Sequence, residues 1–199
     1  MSGYEERKCE LSRKTKETEI RLSLDIDGKG ESRIKLSDAF LRHMLETLVR
    51  YAEFDLDLDA TGDIEHHLAE DVAITLGRAV REAIGERPIR RVSSAVVPMD
   101  EALILVAVDL VDRPFVNVEV PDIMYEHFLR SFAMDLRAAI HSQIIRGQDD
   151  HHLIEATFKA LGLCLGDATR LAEKVISTKS RVEWKRRRSN ADKEDNPVS

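Results

Sequence analysis

The sequence HHLIE at residues 151–155 decides the fold, because HHLAE at residues 66–70 repeats four of its five letters. On a helix, the first histidine and the glutamate are four residues apart and the second histidine and the glutamate three apart. All three side chains can therefore share one face. Imidazole and carboxylate together suit first-row divalent metal ions. For either copy alone, the alternative is that these residues form only the charged, solvated start of a helix. The repetition makes this alternative less favourable.

A second repeated stretch indicates that the chain consists of two similar halves. FLR at residues 40–42 recurs at residues 128–130, 88 residues later (128 − 40), whereas HHL recurs 85 residues later (151 − 66). The difference of three residues fits a shortened loop. We therefore predict an α+β fold built by internal duplication, each half a mostly antiparallel sheet with two helices on one face. Chance agreement of the letters is the alternative.

Hydrophobic periodicity predicts the order strand, strand, helix, strand, helix in the first half, and the same order again in the second half after one additional strand. In the first half we expect a hairpin of strands 17–27 and 32–36, a helix at 38–51, a strand at 53–60 and a helix at 66–84. In the second half we expect strands at 93–98, 102–110, 114–120 and 142–146, and helices at 126–140 and 151–175. The predicted boundaries are a frayed N-terminus at 1–12, half-domains at 13–92 and 93–180, and a basic, then disordered tail at 181–199.

Composition and charge restrict the functional class. The 199 residues are 43% hydrophobic and 34% charged, which is typical of a soluble globular protein. A net charge of −7 argues against nucleic acid as a partner. We find no signal peptide, and no apolar run reaches the roughly 20 residues of a membrane helix. Two cysteines make no disulfide framework, so we expect a cytoplasmic protein without a nucleic acid or membrane partner.

Histidines, cations and acids supply candidate site residues. Four of the seven histidines lie in the two motifs, and the absence of a cysteine cluster argues against structural zinc. Adjacent histidines on a helix diverge by about 100°, so each pair could serve two ions, and a symmetry-related subunit could complete either site. Dispersed cations could bind an anionic group, or could be ordinary surface charge. Glu17, Asp100 and Glu101 could transfer protons, or could only cap and solubilise turns.

Eight motifs occur in the order of one known family. They are RKTKET at 13–18, FLRHML at 40–45, GD at 62–63 before HHLAED, PMDEAL at 98–103, EHFLRS at 126–131, His141, HHLIEATFK at 151–159 and STK at 177–179. Together they resemble the imidazoleglycerol-phosphate dehydratases of histidine biosynthesis, along almost the whole chain from residue 13 to residue 179.

The resemblance implies an activity and a set of site residues. The activity is a metal-dependent dehydration of D-erythro-imidazole glycerol phosphate to imidazole acetol phosphate. Two Mn²⁺ ions serve each active site, although other first-row divalent ions are possible. The implied metal ligands are His43, His66, His67, Glu70, His141, His151, His152 and Glu155, with their division between ions left open. Phosphate binding is implied for Arg91, Arg113, Lys159, Ser177 and Lys179, and acid–base catalysis for Glu17 and Asp100.

The resemblance also implies an architecture and an assembly. Each half is expected to resemble the second domain of ribosomal protein S5. Members of the family assemble as a homo-oligomeric shell of 24 subunits, with metal sites between neighbours. A small phosphorylated imidazole compound is the remaining expected partner.

The chain departs from the family pattern without losing an implied metal ligand. The departures are Arg42 for Asp, Thr47 for Gln, Tyr51 for His, Val111-Asp112 for Ser-Gly, Asp149 for Asn, and two residues fewer between Asp63 and His66. They leave two other functions open. One is a metal-binding assembly protein that has lost turnover, and the other is a metal-dependent hydrolase of a small phosphorylated compound.

Overall fold

Two sheets with the same strand order form the framework of the computed structural model, which describes residues 6–174. The first half comprises β1 Lys8–Lys14, β2 Thr18–Asp25, β3 Ser32–Lys35, α1 Ala39–Ala52, β4 Asp55–Gly62 and α2 Glu65–Ile84. The second half comprises β5 Val92–Met99, β6 Ala102–Asp109, β7 Phe115–Asn117, α3 Ile123–Leu136, β8 Ala139–Arg146 and α4 Asp150–Ala168. No helix in this described part is both long and apolar enough to cross a bilayer.

Strand order and register confirm the predicted duplication and the α+β class. The orders are β1-β2-β4-β3 and β5-β6-β8-β7. In each sheet the last pair is parallel and the other pairs are antiparallel. Arg13 pairs with Ile20 in the first sheet, and Val97 pairs with Ile104 in the second, so equivalent strand residues differ by 84 (104 − 20). The apolar β6 occupies a central position, as its sequence predicts.

The helices pair across the two halves. α2 packs on the first sheet and α4 on the second, while α1 contacts α4 and α3 contacts α2. A Cβ atom on Gly162 would lie 2.5 Å from the Leu48 carbonyl oxygen, and one on Gly77 would collide with the Phe132 carbonyl oxygen. These glycines are 85 residues apart (162 − 77), which is also the spacing of the two HHL motifs. Both close helix pairs therefore belong to the repeat, and both need glycine.

The outer faces of the two sheets differ in chemistry. The first sheet carries charged pairs across its surface, including Arg33 with Asp57 and Lys35 with Asp59. The second sheet instead exposes the apolar side chains of Val92, Val96, Phe115 and Ile145, which are 46 to 57% exposed. An exposed apolar face of this kind is typical of a contact surface.

Helix ends agree with the sequence where a local signal exists. The Asp38 carboxylate accepts hydrogen bonds from the backbone N–H groups of Phe40 and Leu41 at the start of α1. Gly85 ends α2 with a positive φ of 59°, as predicted. The α4 helix ends at Ala168 and not at residue 175, because Leu171 instead forms an isolated antiparallel β-bridge with Ile89.

Several predicted boundaries are wrong. The predicted frayed terminus at 1–12 is strand β1 from Lys8 onward, because antiparallel pairing with β2 orders this segment. The predicted hairpin of residues 17–27 and 32–36 does not form, since β3 runs parallel to β4 and β2 lies between β1 and β4. Helix α3 ends at Leu136, four residues early, because β8 begins at Ala139. The predicted tail at 181–199 lies outside the described residues.

Candidate metal centre

Two predicted histidine ligands, one from each half, lie close to one oxygen of Glu155, which is a third predicted ligand. His43 Nε2 on α1 lies 3.2 Å from Glu155 Oε2, and His151 Nε2 on α4 lies 3.0 Å from the same atom. The three side chains offer ligand atoms that all lie within 4.8 Å of one another. Two imidazoles and a carboxylate suit a first-row divalent ion. The donor set therefore fits the metal that the sequence predicts.

The fold positions these groups through the close contact of α1 and α4. His151 and Glu155 are one helical turn apart on α4, and the Asp149 carboxylate caps the start of that helix by accepting from the His152 backbone N–H. The His43 and His151 rings stack with centroids 6.1 Å apart, and Phe40 packs against His151 at 5.1 Å. The separation of α1 and α4 thus controls the geometry of the cluster.

The cluster keeps its carboxylate in the ionised form that a metal ligand requires. Burial would raise the pKa of Glu155, but hydrogen bonds from Lys159 and His43 outweigh it and hold that pKa below its ordinary value. Lys159 Nζ lies 2.9 Å from Glu155 Oε1, so lysine and histidines bind different oxygens of one carboxylate. Lys159 also lies 5.9 Å from the centre of the Tyr51 ring.

A second group surrounds His152. Its Nδ1 lies 2.7 Å from Glu101 Oε2, and its Nε2 lies 3.5 Å from Asp100 Oδ2. The backbone N–H of Asp149 and the His152 side chain both hydrogen-bond to Glu101 and lower the pKa of that carboxyl to about 2. The Glu101 hydrogen bond in turn raises the pKa of His152. Glu101, which is absent from the site residues that the family resemblance implies, therefore contacts the histidine more closely than Asp100 does.

The first motif has acidic neighbours of its own. His67 Nδ1 lies 2.9 Å from Asp63 Oδ1 and 3.6 Å from Glu17 Oε2. The Asp63 hydrogen bond is the main cause of a raised pKa for His67, and the Glu17 carboxylate adds to it. The His66 ring packs edge-on against His127, with centroids 5.3 Å apart. The contact between His127 and this motif could not be predicted from the sequence, because it depends on the packing of α2 against α3.

The remaining predicted ligands do not join a cluster within residues 6–174. Glu70 lies on α2, one turn after His66, and His141 lies on the outer face of the second sheet with its ring 5.3 Å from Phe115. His43, His151 and Glu155 form the only group of three in this part of the chain whose ligand atoms all lie within 4.8 Å of one another. The residue equivalent to His43, 88 positions later, is Ser131, so the first motif lacks the same third partner.

Two of the predicted phosphate-binding residues lie apart along α4. Lys159 lies at the middle of the helix beside the cluster, whereas the Arg91 backbone N–H donates to the Ala168 carbonyl at the C-terminal end, about 13 Å further along the axis. Arg91 pairs with Asp109 at 2.6 Å and lines a cleft of about 680 Å³ that contains none of the histidines. Arg113 is exposed in the turn before β7. Ser177 and Lys179 lie outside the described residues.

One departure from the family pattern has a clear structural role. Asp112 takes a positive φ of 59° and lies within ion-pair distance of Arg81 on α2 and of Arg137 after α3. These contacts hold a non-glycine residue in a conformation that favours glycine. The same turn leads into Arg113.

A family model described as imidazoleglycerol-phosphate dehydratase matches residues 37–165 of the chain. The chain belongs to the imidazoleglycerol-phosphate dehydratase family. A family member from Acetivibrio thermocellus is 45% identical over 193 residues, covering 87% of this chain and 98% of the relative. One from Methanothermobacter thermautotrophicus is 42% identical over 191 residues, covering 88% of this chain and 98% of the relative. The family predicted from the eight motifs is confirmed.

Solved structures of the family confirm the fold. The crystal structure of the Pyrococcus furiosus enzyme in complex with (S)-C348 superposes with a TM-score of 0.80 at 39% identity, covering 86% of this chain and all of the other. The Staphylococcus aureus enzyme gives a TM-score of 0.76 at 30% identity, covering 83% of this chain and 99% of the other. The duplicated α+β architecture of this chain is therefore that of the family.

Proposed function

We propose that the chain dehydrates D-erythro-imidazole glycerol phosphate to imidazole acetol phosphate in histidine biosynthesis, and is thus a hydro-lyase. The observation that carries the proposal is the cluster of His43, His151 and Glu155 in a chain of this family. All eight implied ligand positions keep a histidine or glutamate. Neither a hydrolase nor an inactive assembly protein has comparable support, because the departures from the family pattern leave this donor set intact.

The metal in this proposal is Mn²⁺, with two ions per active site. His43, His151 and Glu155 would hold one ion, and the remaining ligands are His66, His67, Glu70, His141 and His152. When bound, a divalent ion supplies Lewis-acid catalysis by withdrawing electron density from the imidazole ring of the substrate. The hydrogen on the carbon next to that ring is otherwise not acidic enough for a carboxylate base.

Glu17 is the proposed base that accepts this proton. Its carboxylate is exposed, and within residues 6–174 its only recorded polar partner is His67, 3.6 Å away. Among the described residues no other hydrogen-bond donor occupies this carboxylate, so it is open to a proton of the substrate. Asp100, 3.5 Å from His152, is the second candidate for proton transfer, to the departing hydroxyl group. Glu101 is a weaker candidate, because backbone N–H groups already occupy its carboxylate.

The phosphate group is the proposed anchor of the substrate. Cationic side chains bind phosphate by charge and hydrogen bonds. Contacts remote from the reacting carbon convert binding energy into orientation. The proposed residues are Arg91, Arg113, Lys159, Ser177 and Lys179. Because Lys159 lies beside the cluster and Arg91 contacts the C-terminal end of α4, about 13 Å away along the axis, we infer that copies of the chain contribute different members of this set.

The proposed assembly is a shell of 24 copies with metal sites between subunits. Three donors leave coordination positions open at the cluster, and His141 lies on a sheet face whose apolar side chains are exposed. Both features support completion of the site by a second copy. A cytoplasmic location belongs to the same proposal, and the free thiols of Cys9 and Cys164 fit a reducing compartment.

Product analysis of the manganese-loaded protein tests the proposed function. With imidazole glycerol phosphate we expect a ketone that retains its phosphate, and strongly reduced turnover in His152→Ala and Glu17→Gln. Release of inorganic phosphate would favour the hydrolase. Bound metal without any product would favour the inactive assembly protein. Equal activity in all three proteins would defeat the assignment of these two residues.

A further inference from the structure

Asp71 joins the strand that follows Glu17 to the helix that carries His67. Asp71 lies on α2 one helical turn after His67, and it is 9% exposed. Its Oδ1 accepts from Arg13 at 2.7 Å, and its Oδ2 accepts from the buried Thr18 hydroxyl. Arg13 is the last but one residue of β1 and Thr18 starts β2, so the two partners flank the loop that contains Glu17. We call Arg13, Thr18 and Asp71 the polar trio.

The loop between these partners has few ways to move. The Thr15 backbone N–H donates to the Thr18 carbonyl at 3.0 Å, and the Glu17 N–H donates to the Thr15 hydroxyl at 3.1 Å. The Asp63 N–H donates to the Glu17 carbonyl at 3.0 Å. None of these bonds uses the Glu17 carboxylate. The Thr18 hydroxyl also lies 3.1 Å from the Thr15 hydroxyl, so the polar trio and these bonds together hold the backbone at Glu17 against α2 and leave its carboxylate exposed beside His67.

The second half shows that the fold itself does not require the polar trio. The strand offset of 84 places Val97 and Ala102 opposite Arg13 and Thr18, and the motif offset of 85 places Ala156 opposite Asp71. All three equivalents are buried and apolar. The same supersecondary structure therefore forms around an apolar set. The equivalent of Glu17 is Glu101, which is held instead by backbone N–H groups of the loop before α4.

The energetics also argue against a purely structural role. Arg13 Nε is buried without a hydrogen-bond partner in the described part of the chain, which is unfavourable. The Arg13 side chain is 37% exposed and that of Asp71 is 12% exposed, and replacing the buried part of such an ion pair with well-packed apolar groups can be neutral or stabilising. Retention of the ion pair only in the half that contains Glu17 points to the requirements of that residue.

We propose that Asp71 is a positioning residue for Glu17, acting through Arg13 and Thr18 and without touching the substrate. This inference rests on the proposed function, in which Glu17 is the base. The polar trio holds the Glu17 backbone at a fixed distance from His67, so that the carboxylate meets the substrate carbon in one orientation. A loose loop would leave binding intact and slow the proton transfer.

The main test replaces the polar trio with its apolar equivalents from the other half. The variant combines Arg13→Val, Thr18→Ala and Asp71→Ala. We expect unchanged particle size, manganese content and thermal midpoint, with a KM within about threefold of the original and a kcat lower by on the order of 100-fold. A folded, manganese-loaded variant with the original kcat would overturn the inference, and so would a kcat loss fully explained by lost manganese.

Single substitutions keep the inference testable if the triple variant fails to fold. Thr18→Val removes the hydroxyl group at nearly constant shape and should lower kcat, whereas Thr18→Ser keeps the donor and should restore most of it. Thr169→Val is the matched control, because among residues 6–174 that buried hydroxyl bonds only to carbonyls of its own helix. Equal kcat values for Thr18→Val and Thr169→Val would contradict the proposal.

Amide hydrogen exchange separates this inference from the proposed function, because it needs no turnover. In the Thr18→Val protein we expect faster exchange at Glu17 and Asp63 and unchanged exchange in α4. Unchanged exchange at both amides would overturn the positioning role even if the original protein were inactive. Inactivity of the original protein, with faster exchange in the variant, would refute only the proposed function and would support the inference about loop geometry.

Discussion

Replacing Gly162 with alanine should weaken both the fold and the candidate metal centre. Gly162 lies where α4 crosses α1, and a Cβ there would meet the Leu48 carbonyl oxygen at 2.5 Å and Tyr51 Cβ at 2.9 Å. Helix α1 carries His43, and α4 carries Glu155. Any separation of these helices therefore also separates two proposed ligands of one ion.

The size of the effect follows from that geometry. Ordinary contacts begin near 3.4 Å, so the helices must part by about 1 Å or distort. Overpacking of this kind costs about 1–3 kcal/mol. The better helix propensity of alanine returns up to about 1 kcal/mol. We expect a net loss of roughly 1–2 kcal/mol and an increase of the 3.2 Å distance between His43 and Glu155.

Urea denaturation at one protein concentration and manganese titration measure the two consequences. We expect a lower unfolding free energy and weaker manganese binding for Gly162→Ala. Gly77→Ala is the matched control, because it forces apart α2 and α3, which leaves the His43 cluster in place. Equal manganese affinity in the original protein and Gly162→Ala would refute the link between helix spacing and metal binding.

Three further predictions concern the assembly, the phosphate and a turn. Complete removal of metal by a chelator should abolish activity and reduce particle size in gel filtration, and an unchanged large particle would contradict a structural role for the metal. Arg113→Ala should raise KM at least tenfold in steady-state assays, because a phosphate contact worth about 1.4 kcal/mol or more is lost; an unchanged KM would remove Arg113 from the phosphate site. Partial burial would raise the pKa of Asp55, but hydrogen bonds from the backbone N–H groups of Lys29 and Glu31 outweigh it and lower that pKa below 3.8. Asp55→Asn should therefore lower stability at neutral pH, and in urea titrations the difference should shrink as the pH falls below 3.8, whereas a constant difference would refute the charge effect.

The duplication could be predicted because both halves retain the same letters at fixed spacing. Asp38 and Gly85 also carry local signals, since a carboxylate cap and a left-handed glycine act within a single turn of helix. Strand β1 lacked such a signal, because only Cys9 and Leu11 among its residues are apolar. Its structure depends on a partner strand, which periodicity does not identify.

The candidate site was predictable in composition but not in grouping. The resemblance to the family predicts His43 and Glu155 as ligands, yet only the crossing of α1 and α4 brings them together. Glu101 differs from Asp100 because backbone N–H groups of residues 148 and 149 bind it, and this contact spans the sheet and the loop before α4. Asp71 is the last residue of the HHLAED motif, but its contacts with Arg13 and Thr18 depend on the packing of α2 against β1 and β2.

The most direct test of the account is a crystal structure of the manganese-loaded assembly, with anomalous data recorded at the manganese absorption edge. The account predicts two strong peaks per chain, one of them bonded to Glu155 together with His43 and His151, and both completed by ligands from the HHLxE motifs. Peaks remote from both motifs would contradict it. So would the absence of any manganese peak at either motif in crystals of an active enzyme.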